Sequence, residues 1–121
     1  MNQFSNKYDL EERVGRFGEE VIDLCKLVQQ NVITRPIISQ LVRSAVSIGA
    51  NYMEANGAIS RKDFANKIHI SKKEAQETKH LLRMLKRATP NDHEKIDTLS
   101  DECRQLVLIF QKITSKIKET V

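Results

Sequence analysis

At 121 residues, with four glycines, two prolines, 40% apolar and 30% charged residues, the chain reads as one helical domain able to bury a single core. Six aromatics and no Trp leave little for base-stacking platforms, and no apolar run approaches the roughly 18 residues of a membrane span. The formal charge of +4 favours an anionic, salt-dependent partner, and Met1–Asp9 carry no apolar signal region, so a cytoplasmic location is expected.

Apolar residues recur at alternating spacings of four and three in four segments. The first helix is expected over about 9–30, with Leu10, Val14, Phe17, Val21, Leu24 and Val28 as its seam. The second, about 36–56, starts at Pro36, a favoured first-turn residue, after Thr34 as a cap. Its seam is Ile38, Leu41, Ala45, Ile48, Tyr52 and Ala55, and Asn56-Gly57 ends it. Ser60 can cap the third, about 61–88, with Asp63 three residues on. There the seam is Phe64, Ile68, Ser71, Ala75, Thr78, Leu82 and Leu85, closed by Thr89-Pro90-Asn91. Asn91 or Asp92 caps the fourth, about 92–119, whose seam is Ile96, Leu99, Cys103, Leu106, Phe110, Ile113 and Ile117. Acids crowd its first half and Lys112, Lys116 and Lys118 its end, as the helix dipole prefers.

Long helices joined by short turns predict an all-α, antiparallel up-down four-helix bundle, left-handed, occupying residues 1–121 as one domain. A single extended coiled coil is disfavoured by the three breaker segments. Ile22, Leu27, Val46, Met53 and Leu108 lie off these seams, and the second helix is small on several sides at Ser44, Ala45, Ser47, Gly49 and Ala50. Both features point to self-association, against the plainer reading that scattered surface hydrophobes are ordinary.

Chemistry finds little support. Glu77 and His80 form one Glu-x-x-His unit, but a di-iron bundle needs two such units and two further inward carboxylates, and the first two helices contain no His. Neither Cys25 nor Cys103 has a His at contact spacing on its own seam, and no Gly-rich turn offers a phosphate cradle. Both cysteines read as small hydrophobes rather than a disulfide pair. No enzyme, metal or cofactor is expected. Glu74 is odd, since it falls within the apolar arc of the third helix with Lys67 two turns earlier. The two are expected to form a polar clasp that fixes register or an oligomer contact; a catalytic acid would need a second converging group.

The charge pattern of the third helix carries the clearest signal. Between Arg61 and Arg87 stand nine Lys/Arg against three Asp/Glu. At 100° per residue, Arg61, Lys62, Lys72, Lys73, Lys79, Arg83, Lys86 and Arg87 share an arc of about 140°, while Asp63, Glu74 and Glu77 lie opposite. The stripe is roughly 40 Å long. A solvated face usually mixes signs so that i,i+4 pairs form; this one repels itself. It predicts binding to RNA or DNA through phosphates, which positions a ligand without reading its sequence. The competing reading is a protein–protein scaffold with no nucleic acid, whose off-seam apolar residues receive the partner.

The run Arg43-Ser44-Ala45-Val46-Ser47-Ile48-Gly49-Ala50-Asn51-Tyr52-Met53-Glu54-Ala55, then Lys62-Asp63-Phe64 and Glu74-x-x-Glu77-Thr78, resembles a bacterial family of four-helix bundle proteins. These were first noticed as reading frames within intervening sequences of 23S ribosomal RNA genes. The resemblance implies a homopentamer of barrel or funnel shape. A related branch, the accessory proteins of diversity-generating retroelements, implies a reverse transcriptase and nucleic acid as partners of basic surfaces. It implies no catalytic residues.

Overall fold

A computed structural model describes the backbone of residues 3–119 and the side chains of residues 10–118. Its elements are α1 (Gln3–Leu27), α2 (Thr34–Asn56), α3 (Arg61–Ala88) and α4 (His93–Glu119). Contacts between neighbours run in opposing register: Ser44 meets Thr78, Ile48 meets Ser71, and Lys67 meets Glu54. The same opposition holds where Lys86 meets Asp97 and Lys72 meets Gln111. α3 therefore runs opposite to both α2 and α4.

The core is the four seams. Val14, Phe17, Val21, Leu24 and Val28 of the first segment pack with Leu41, Ala45, Ile48, Tyr52 and Ala55 of α2. Ile68, Ala75, Leu82 and Leu85 of α3 and Ile96, Leu99, Cys103, Leu106 and Phe110 of α4 complete it. Leu10, Ile38, Phe64 and Ile113 sit at its edges, half-buried. The periodicity works because residues three and four apart share one side of a helix.

Three helix ends differ from expectation. α1 begins at Gln3 rather than near Asp9 and stops at Leu27 rather than Gln30. α2 begins at Thr34, so Thr34 is its first residue and not a cap before Pro36. At the α1–α2 turn the cause is a side-chain network that the spacing did not reveal. Asn31 Oδ1 accepts from the Ile33 and Thr34 N–H groups at 2.9 Å each, while Thr34 Oγ1 donates to the Gln29 carbonyl at 2.8 Å. Asn31 thus satisfies the first free amides of α2 from outside the helix. The other boundaries fall within a residue of expectation, and Ser60 Oγ accepts from Asp63 N–H at 3.0 Å as a cap should.

Two of the small residues of α2 pack within the chain itself. Ser44 and Ala45 are fully buried rather than on the outer face. Thr78 Oγ1 donates to Ser44 Oγ at 2.8 Å, and Ser71 Oγ donates to the Ile48 carbonyl at 3.1 Å. Short side chains let α2 and α3 approach closely, and the hydroxyls find partners in the space left. Among the described residues, no buried side-chain nitrogen or oxygen lacks a hydrogen bond.

Candidate nucleic-acid interface

α3 is wedged between α2 and α4, so only its outer arc meets solvent. Seam residues Ile68, Ser71, Ala75, Thr78, Leu82 and Leu85 face inward. The opposite arc then carries Arg61, Lys62, Lys73, Lys79, Arg83, Lys86 and Arg87, all exposed, with Lys72 half-buried. Sequence spacing could show that these charges share an arc; the packing adds which edge of it is taken up. On the α4 side, Lys86 Nζ lies 2.8 Å from Asp97 and Lys72 donates to Gln111. Lys62, Lys73, Lys79, Arg83 and Arg87 form no ion pair with any described residue. His69 and His80 are exposed within the same band.

The acids that would neutralise the stripe lie elsewhere. Arg43 of α2 reaches Glu77 at 3.2 Å and Glu74 at 4.0 Å, on the far side of α3. Another acidic region lies between α1 and α4, where Glu20, Asp23 and Glu94 line an open hollow of about 490 Å³. The exposed arc of α3 is thereby left with an excess of positive charge.

The expected Lys67–Glu74 clasp is two separate contacts. Lys67 pairs with Glu54 at 2.9 Å, and Glu74 turns to Arg43 instead. Both cross from α3 to α2, but the two residues do not meet, because seven residues along one helix hold them roughly 10 Å apart. Burial pushes the Glu74 carboxyl above its usual range, and the neighbouring Glu77 adds to the rise against the pull of Arg43 and Lys73. A raised folded value means that ionisation costs stability above the unfolded value of 4.5, and the cost vanishes below it. Glu74→Gln should therefore stabilise the fold at pH 7, by roughly 0.5 kcal/mol, the scale of a partly screened charge contact. Its advantage over the parent should shrink as pH falls toward 4.5, as denaturant titrations at several pH values would show.

Neither cysteine is poised for chemistry. Both are free and buried, and burial holds the Cys25 thiol up at about 11 and the Cys103 thiol at about 12. Cys103 donates to the Ala75 carbonyl at 3.0 Å, a packing contact between α4 and α3. Among the described residues no three His, Cys, Asp or Glu side chains gather as metal ligands would. Glu77 of the Glu-x-x-His unit is spent on Arg43.

Two hollows remain, the first without a counterpart in the sequence and the second where the off-seam Ile22, Val46 and Met53 lie. A hollow of about 570 Å³ at the α3–α4 turn joins Arg83, Lys86 and Arg87 to Thr89, Pro90 and His93. It exists because the turn folds back on itself, with Thr89 extended before Pro90 and Asp92 in the left-handed region at φ 63°. Also, an apolar groove of about 330 Å³ runs between α1 and α2, over Gly15, Gly18 and Ala50 and beside Ile22, Val46 and Met53. Val46 and Met53 are exposed there, as are Leu27 and Leu108 elsewhere.

Comparison with known proteins bears on the fold. A crystal structure of a protein of unknown function from the S23 ribosomal protein family of Bacteroides thetaiotaomicron superposes with a TM-score of 0.74. The two share 29% identity over 86% of this chain and 96% of that one. No curated protein matches the chain. The 23S rRNA-intervening sequence protein family matches it over residues 7–112. That span takes in α2, α3, their motifs and most of the remaining two helices, and the chain belongs to the 23S rRNA-intervening sequence protein family.

Proposed function

We propose that this protein is a non-enzymatic, self-associating bundle that binds nucleic acid, or an enzyme complex holding it, through the outer face of α3. The observation that carries the reading is the set of five cations, Lys62, Lys73, Lys79, Arg83 and Arg87, exposed on one arc and in no ion pair with a described residue. A face kept positive along about 26 residues repels itself, and a phosphate backbone relieves that repulsion by releasing counterions. Binding of this kind is positional and reads no bases. A reverse transcriptase fits the same reading as a protein partner that delivers its own nucleic acid.

Self-association would place several stripes on one assembly and raise a weak contact through effective concentration. The groove between α1 and α2 is the surface we assign to it, since α3 is then left open. A homopentamer is the expected closed ring. Val46→Lys together with Met53→Lys should leave helicity unchanged and shift the sedimenting species toward monomer. Identical sedimentation of parent and variant would remove the groove from the assembly.

Fluorescence anisotropy with a labelled duplex, repeated between about 50 and 200 mM salt, tests the main reading. The expected result is a steep loss of affinity with salt. No binding at the low end, or binding that ignores salt, overturns it. The apolar groove favours one other reading, a protein scaffold; a partner captured through Val46 and Met53 that survives nuclease and high salt would support it instead.

A further inference from the structure

The stripe on α3 does not fade out at its C-terminal end; it runs into the hollow at the α3–α4 turn. We propose that this hollow holds the terminal phosphate of a nucleic-acid strand, a refinement that rests on the nucleic-acid reading of α3.

Three observations converge. First, Arg83 and Arg87 stand one turn apart on the same ridge and make no ion pair with a described residue, while Lys86 beside them is shared with Asp97 at 2.8 Å. Two unspent guanidinium forks match the oxygens of one phosphate. Second, the site is concave. Elsewhere along α3 the cations sit on a convex helix, which suits passing diester phosphates, whereas here Thr89 and Pro90 join the arginines in lining a hollow open to solvent. It lies at the last turn of α3, where the stripe ends, so a strand that tracks the stripe can finish there.

Third, the His93 ring is fixed. Its Nε2 lies 2.6 Å from the Thr89 carbonyl, which can only accept, so Nε2 carries the proton and the ring stands as a set plane on the wall. Among the other described aromatic side chains Phe17, Tyr52 and Phe110 are buried, and Phe64 sits half-buried in the first turn of α3, far from this hollow. His93 and Pro90 can therefore take the last sugar and base while the arginines take the phosphate. A monoester end carries about −1.5 to −2 at neutral pH, against −1 for a diester, and gains more from two arginines.

The test uses one single-stranded RNA in three forms, bearing a 5′-phosphate, a 3′-phosphate, or hydroxyls at both ends. One phosphorylated form should bind about tenfold more tightly than the hydroxyl form, a typical gain for a charge-assisted contact. Which form wins identifies the end. Arg83→Gln with Arg87→Gln should erase the preference, whereas Lys62→Gln with Lys73→Gln should weaken all three forms alike and keep it. Equal affinities for the parent, or a preference that survives the arginine changes, overturns the proposal. A chain that binds none of the three sinks the nucleic-acid reading itself. In that event titration with adenosine monophosphate followed by NMR decides the hollow: amide shifts confined to residues 83–93 sustain its phosphate chemistry, and their absence overturns it.

Discussion

Exchanging Lys62, Lys73, Lys79, Arg83 and Arg87 together for Gln is expected to flatten the log–log salt slope of duplex DNA binding by about 4. Each phosphate neutralised contributes roughly 0.9 to that slope, and five cations need not all touch one duplex at once. A slope difference of that size lowers affinity about ten-thousandfold at about 0.1 M salt relative to 1 M, where parent and variant converge. The fold should not suffer, since none of the five makes an ion pair with a described residue and all are exposed. Losing mutual repulsion should, if anything, raise stability slightly. Lys72 and Lys86 make an informative contrast, because Gln111 and Asp97 already engage them. Their double exchange should change the slope by less than two exposed cations do. An unchanged slope in the five-site variant would detach nucleic acid from α3 altogether.

The contrast between those two sets marks where the sequence stopped being legible. Which α3 residues face out follows from the 3.6-residue period, because the same arithmetic that buries Ile68, Ala75, Leu82 and Leu85 exposes Lys62, Lys73 and Arg87. Position around one helix is local information. Cross-helix partners are not, since they depend on how far α2 and α4 slide along α3. Hence Lys67 meeting Glu54, Glu74 meeting Arg43, and Lys86 meeting Asp97 came only with the assembled bundle. The turn hollow is a stronger case. Its floor depends on Asp92 adopting a positive φ, so that His93 returns over the last turn of α3. Spacing placed His93 at a helix start and could say nothing of the arginines it would join.

Two of the small residues of α2 point inward, not outward, for a related reason. Ser44 and Ala45 permit a close approach, but composition does not say to what, and α3 of the same chain was available. Off-seam apolar residues proved the better guide to open surface. Val46, Met53 and Leu108 are 46%, 61% and 56% exposed, so their cost to solubility is left uncovered within one chain.

Phe110→Ala should be the most destabilising single change, by about 3–5 kcal/mol, or a drop of about 10–20 °C in Tm for a domain of this size. The ring is fully buried, and its centroid lies 6.1 Å from that of Tyr52 with the planes tilted by 54°. This pair ties α4 to α2, helices on opposite sides of the bundle, so truncation leaves a void that neither the α2–α3 nor the α3–α4 packing can close. Phe110→Leu should recover more than half of the loss by refilling the space without the ring contact. Leu108, two residues away and pointing outward, supplies the control: Leu108→Ala should stay within about 0.5 kcal/mol. The ordering matters beyond stability. The outward face of α3 is whatever its inward face is not, and Phe110 helps define that inside. If Leu108→Ala proved costlier than Phe110→Ala in thermal melts, α4 would be rotated from its seam. Lys72 and Lys86 would then lose the neighbours that mark the edge of the basic face, and the choice of five cations would have to be made again.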